Sequence, residues 1–96
     1  MFTIEQTTIF ANWIVSLDDR EARIRIDRRI ARMALGNFGD VKSVGGGVSE
    51  LRISYGPGYR VYFCRRERTV IVLLCGGDKR TQDKDIKRAH EMAQEV

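Results

Sequence analysis

Near the middle of the chain, the spacing of apolar residues switches from a helical period to strict alternation. Ile9, Trp13, Ile14 and Leu17, then Ala22, Ile26, Ile30 and Met33, recur every three or four residues. That spacing lays an apolar stripe along one side of a helix. From Val48 the period becomes two, with Leu51, Ile53 and Tyr55 alternating with Glu50, Arg52 and Ser54. This is the pattern of a strand with one face buried. Segregated helices and strands point to an α+β fold. A chain of 96 residues has room for one domain, so residues 1–96 are read as a single domain.

The turn chemistry divides the two halves into elements. Residues 1–5, MFTIE, alternate and predict a short strand. Thr7 or Thr8 is placed to cap the first helix, and Asp18 and Asp19 open the second with acids at its positive end. Gly36-Asn37 ends that helix with a left-handed cap. With little linker between them, the helices form a hairpin. Strands are then predicted over Asp40–Val44, Val48–Tyr55, Tyr59–Arg65 and Thr69–Cys75. The last is nearly all apolar, as a central strand should be. Gly56-Pro57-Gly58-Tyr59 fits a type II turn, and Gly76-Gly77 breaks the final strand. Thr81 or Asp83 begins a closing helix carrying Ile86, Ala89, His90 and Ala93. The expected architecture is a small antiparallel sheet with an N-terminal helical hairpin and a C-terminal helix, in the order β-α-α-β-β-β(-β)-α.

Charge narrows the choice of partner. The chain has 17 basic and 13 acidic residues, net +4, and thirteen of the basic residues are Arg. Residues 52–80 hold seven basic side chains (Arg52, Arg60, Arg65, Arg66, Arg68, Lys79, Arg80) against Glu67 and Asp78. Guanidinium forks bind phosphate in a bidentate manner and stack on bases. Nucleic acid or an acidic protein is therefore the natural partner, although a soluble basic surface has the same composition. No apolar run approaches the ~18 residues of a membrane span, and the first ten residues lack the basic start and apolar stretch of a secretory signal. A cytoplasmic protein without membrane contact is expected. Cys64 and Cys75 sit in apolar segments without metal-ligand spacing and read as buried, reduced thiols. Neither metal nor cofactor is expected.

Strand alternation gathers a candidate site. With helices over one face of the sheet, Leu51, Ile53, Val61 and Phe63 belong on that face. Glu50, Arg52, Arg60 and Tyr62 then share the open one, with Lys79 reaching its rim. Such a set suits phosphodiester chemistry. Arg52 and Arg60 would neutralise charge developing on phosphorus. Glu50 would accept a 2′-hydroxyl proton, Lys79 would assist proton transfer or bind phosphate, and Tyr62 would stack on a base. RNA that supplies its own 2′-hydroxyl nucleophile needs no metal. Arg65, Arg66 and Arg80 are candidate RNA-backbone contacts. A half-solvated sheet gives the same alternation without any chemistry, Glu50 and Arg52 then being an exposed ion-pair group with Arg60.

Several segments together resemble the RelE/ParE superfamily of bacterial toxins, in particular its HigB-type addiction module killer proteins. They are residues 36–42 (GNFGDVK), Val48–Ile53 with Glu50-Leu51-Arg52, Gly58–Phe63 (GYRVYF), 74–82 (LCGGDKRTQ) and Asp85-Ile86. The resemblance covers nearly the whole chain in order. It implies the β-α-α-β-β-β(-β)-α fold and a toxin of a type II toxin–antitoxin module. It further implies ribosome-dependent mRNA endonuclease activity and a helix-turn-helix antitoxin as partner. Operator DNA would be met only through that antitoxin. Carried onto this chain, the catalytic positions are Arg52, Arg60 and Lys79, with Glu50 as base. Some relatives place His or Tyr near the C-terminus, where this chain has only His90. The same superfamily includes ParE-like gyrase poisons without nuclease activity, which is the alternative reading.

Overall fold

A computed structural model describes all 96 residues. The elements run β1 (Thr3–Gln6), α1 (Thr8–Ser16), α2 (Arg20–Ala34), β2 (Val41–Ser43), β3 (Val48–Ile53), β4 (Tyr59–Arg66), β5 (Val70–Asp78) and α3 (Gln82–Ala93), with a 3₁₀ turn over Lys79–Thr81 before α3. This is the expected α+β order. Thr7 caps α1 by accepting from the Phe10 amide, and Asp19 caps α2 by accepting from Ala22. Gly36 follows α2 in the left-handed region, φ +93°, with its amide on the Met33 carbonyl. The hydrogen-bonded turn between β3 and β4 closes one residue earlier than expected, Gly58 N–H donating to the Tyr55 carbonyl at 3.1 Å. No helix is long and apolar enough to cross a membrane.

The five strands lie in the order β1-β5-β4-β3-β2. Strands β2 to β5 form an antiparallel meander. The antiparallel expectation is corrected at one edge, where β1 joins β5 in parallel. The meander leaves that edge of β5 free, and β1 fills it.

Both faces of the sheet are covered, which is the larger correction. Leu51, Ile53, Val61, Phe63, Ile71 and Leu73 bury one face against Phe10 of α1 and Ala22, Ile26 and Met33 of α2. Val48, Tyr62, Cys64, Val72, Leu74 and Cys75 bury much of the other against Ala89 of α3, flanked by Ile86, Met92 and Ala93. The stripe on α3 must bury somewhere, and the hairpin already occupies the first face. Cys64 and Cys75 are free and buried. Burial pushes the Cys75 thiol up to about 11.

A bulge sets the alignment at the end of β5. Tyr62 pairs with Cys75 but Phe63 pairs with Leu73, so Leu74 is the extra residue. Consecutive Leu74 and Cys75 thereby serve the same core. Beyond the bulge, Gly76 and Gly77 do not break the strand. Both lie within β5, and each is small because something approaches it closely. A Cβ on Gly76 would fall 2.3 Å from the Trp13 ring, and one on Gly77 would fall 1.9 Å from Asp85 Oδ2. We predict that Gly76→Ala lowers stability by about 1–3 kcal/mol through overpacking, and by much less in a Trp13→Ala background. Thermal melts of the four proteins check this, and equal losses in both backgrounds would contradict the contact.

Candidate functional site

Arg52 on β3 lies directly opposite Arg60 on β4. Like charges facing each other across an antiparallel pair repel and destabilise it. Asp40 relieves one of them, taking both Arg52 Nε at 3.2 Å and Nη2 at 2.9 Å on Oδ1. Arg60 has no such partner, and its Nε is buried without a hydrogen bond. A buried donor left unpaired costs about 1–3 kcal/mol. Both arginines line an open groove of about 340 Å³ beside the β3–β4 turn, with Asp40, Ser54, Gly58 and Lys79 among its other walls.

Local capping positions Lys79. The Asp78 carboxylate accepts from the Arg80 amide at 2.8 Å and from Arg80 Nη2 at 2.8 Å, closing the turn over Lys79–Thr81. These hydrogen bonds hold the Asp78 carboxyl below its usual range. Thr81 Oγ1 donates to Asp85 Oδ2 at 2.5 Å, under Gly77. The turn is thus anchored at both ends, and Lys79 stands exposed on the groove wall without an ion pair. Three cations and one carboxylate leave the groove with a net positive charge.

Glu50 and Tyr62 are not on an open face, and that expectation is corrected. Both are fully buried, at 0% exposure, because α3 lies over this part of the sheet. Glu50 Oε2 accepts from Tyr62 Oη at 3.1 Å and from Gln82 Nε2 at 2.8 Å, while Oε1 is buried without a partner. Burial, and then the Glu50 charge, raise the Tyr62 phenol well above its ordinary value. The phenol therefore stays protonated and donates. Its ring is not available to stack on a base, and Glu50 has no surface from which to take a substrate proton.

The remaining candidates separate in space. Arg65 and Arg66 lie about 16–20 Å further along β4 than Arg60, at ~3.3 Å per residue. Arg65 stacks on Phe2 and Phe38, its guanidinium carbon 4.9 and 5.1 Å from the ring centres. Arg66 pairs with Glu5 at 2.6 Å. Arg80 stands beside Lys79 but is turned onto Asp78. His90 Nε2 lies 2.9 Å from the Val44 carbonyl, over Gly45 and Gly46, and does not line the groove. Sequence reasoning missed Asp40, Gln82 and Asp85 as parts of this machinery. All three did leave a signal, since each falls inside the segments that carry the toxin-family resemblance.

Residues 12–95 match the family described as Phage derived protein Gp49-like. An uncharacterized protein of Haemophilus influenzae is 50% identical over 93 residues, which is 97% of this chain and 94% of that protein.

The buried network yields a prediction. Tyr62→Phe leaves Glu50 with Gln82 as its one donor and should cost about 1–3 kcal/mol. The midpoint of urea unfolding should fall at constant slope. An unchanged midpoint would contradict the network.

Proposed function

This chain belongs to the Gp49-like family of phage-derived proteins, and from that premise we propose that it is the toxin of a type II toxin–antitoxin pair. In this reading it cuts mRNA on the ribosome and is silenced by a helix-turn-helix antitoxin, through which alone it meets operator DNA. One observation carries the reading: Arg52, Arg60 and Lys79 converge on a single open groove.

The chemistry follows from those groups. A strand drawn into the groove sets a phosphate against the two guanidiniums, which line it. The 2′-hydroxyl attacks phosphorus, the 2′-O–P bond forms and the P–O5′ bond breaks. Charge gathering on the non-bridging oxygens is met by Arg52 and Arg60. Lys79 donates the proton to the departing 5′-oxygen. Asp40 is the carboxylate that lines the groove, and it takes the 2′-hydroxyl proton in place of the buried Glu50.

A ParE-like gyrase poison is the second reading, and one observation favours it. Burial of Tyr62 leaves the groove walls without an aromatic ring to hold a base. Induced expression separates the two readings. The nuclease reading expects amino-acid incorporation to stop before plasmid supercoiling changes, and the gyrase reading expects the reverse order. Arg60→Ala should restore growth and lower cleavage on programmed ribosomes by about 10²–10³-fold. Its stability should not fall by more than about 1 kcal/mol, since the substitution also removes the buried unpaired donor. Undiminished toxicity in a well-expressed Arg60→Ala protein would remove Arg60 from the mechanism.

A further inference from the structure

A second basic cavity, of about 300 Å³, lies where α2 passes the end of β3, walled by Arg25, Arg28, Arg29, Arg32, Ser54 and Tyr55. No carboxylate lines it. Its four arginines divide into two kinds. Arg25 is held by Glu21 at 3.0 Å and lies 4.5 Å over the Tyr55 ring. Arg29 donates through Nη1 to the Arg52 carbonyl at 2.6 Å and through Nη2 to the Phe38 carbonyl at 3.2 Å. Burial, followed by the charge of Arg32, lowers the affinity of Arg29 for its proton. These two side chains are committed to the fold. The other two are not: Arg28 and Arg32 are exposed, and neither guanidinium is in an ion pair with any of the chain's carboxylates.

Arg28 and Arg32 are one helical turn apart, about 6 Å along the axis. Like charges at that spacing repel, so their placement carries a cost that a bound anion offsets. Their position relative to the groove is also fixed. Arg29 ties α2 to the backbone of Arg52, whose side chain faces the groove, and Ile53 and Ser54 line both cavities. The two basic surfaces therefore share a wall. A strand seated at Arg52, Arg60 and Lys79 has to leave the groove somewhere, and across Ser54 it meets cations. Guanidiniums at the exit suit phosphates, which they bind by paired hydrogen bonds.

We propose that Arg28 and Arg32 form a second phosphate subsite, which holds the substrate RNA strand where it passes over Ser54 into the Arg52–Arg60–Lys79 groove. The proposal rests on the nuclease reading above and adds the path of the substrate to it.

The test uses the full-length protein and two uncleavable 2′-O-methyl oligoribonucleotides, a trimer and a nine-mer, with affinity followed by fluorescence anisotropy across a salt series. Single-stranded nucleic acid loses about 0.7 in the slope of log affinity against log salt for each phosphate contact removed. Arg28→Gln/Arg32→Gln should therefore lower the nine-mer slope by about 1.4 and leave trimer binding unchanged. If the double variant melts early, each single variant should lower the slope by about 0.7. An unchanged nine-mer slope with intact trimer binding overturns the subsite and leaves the groove reading standing. Failure of the wild-type protein to bind either oligonucleotide overturns both. Two outcomes reassign the patch and overturn the strand path, each with the nine-mer slope unchanged. Loss of ribosome co-sedimentation would assign it to ribosomal RNA, and loss of polyglutamate binding would assign it to an acidic protein.

Discussion

The buried carboxylate of Glu50 divides the second face of the sheet. On one side of it Tyr62, Cys64, Val72 and Leu74 are sealed under α3; on the other, Arg52 and Arg60 reach solvent in the groove. Gln82 begins α3 and donates to Glu50, so the same contact docks the helix and marks where its cover stops. Burying a carboxylate without a counter-ion is expensive unless hydrogen bonds compensate. Here Tyr62 and Gln82 both serve one oxygen. The groove opens where α3 gives way to the turn that carries Lys79.

The groove is built against local stability. Arg52 and Arg60 oppose each other across a strand pair, Asp40 neutralises only the first, and Arg60 keeps a buried donor unpaired. On the neighbouring helix Arg28 and Arg32 repeat the pattern of unpaired like charges. A fold selected for stability alone would place a carboxylate between such groups, as it does for Arg25 and Arg66. In the reading proposed above, a bound phosphate supplies the counter-charge that these cations lack. Local features such as the Asp78-capped turn and the glycine that admits Asp85 hold Lys79 in place around them.

Much of the fold was legible in sequence because local chemistry and tertiary packing agree. Thr7, Asp19 and Gly36 act at the helix ends where their side chains or backbone freedom predict. The alternation in Val48–Ile53 assigned Leu51 and Ile53 to the hairpin core and put Glu50 and Arg52 on the opposite face. Three of the four residues proposed as catalytic, Arg52, Arg60 and Lys79, meet in one groove. What was not legible is long-range. The stripe on α3 shows that the helix is amphipathic, not which face of the sheet it covers, so Glu50 and Tyr62 were expected in solvent. The Leu74 bulge has no local signature, and Gly76-Gly77 looks the same whether it ends a strand or admits Trp13 and Asp85. The parallel seat of β1 depends on which sheet edge remains free.

Attack by the RNA's own 2′-hydroxyl in the groove is tested by single-turnover cleavage of mRNA on programmed ribosomes with one 2′-deoxynucleotide at the scissile position. The all-ribose message should be cut to leave a 2′,3′-cyclic phosphate, while the deoxy-substituted message binds equally well and stays intact at that position. Cleavage of the deoxy-substituted message at the same rate, or no cleavage of the all-ribose message, would contradict it.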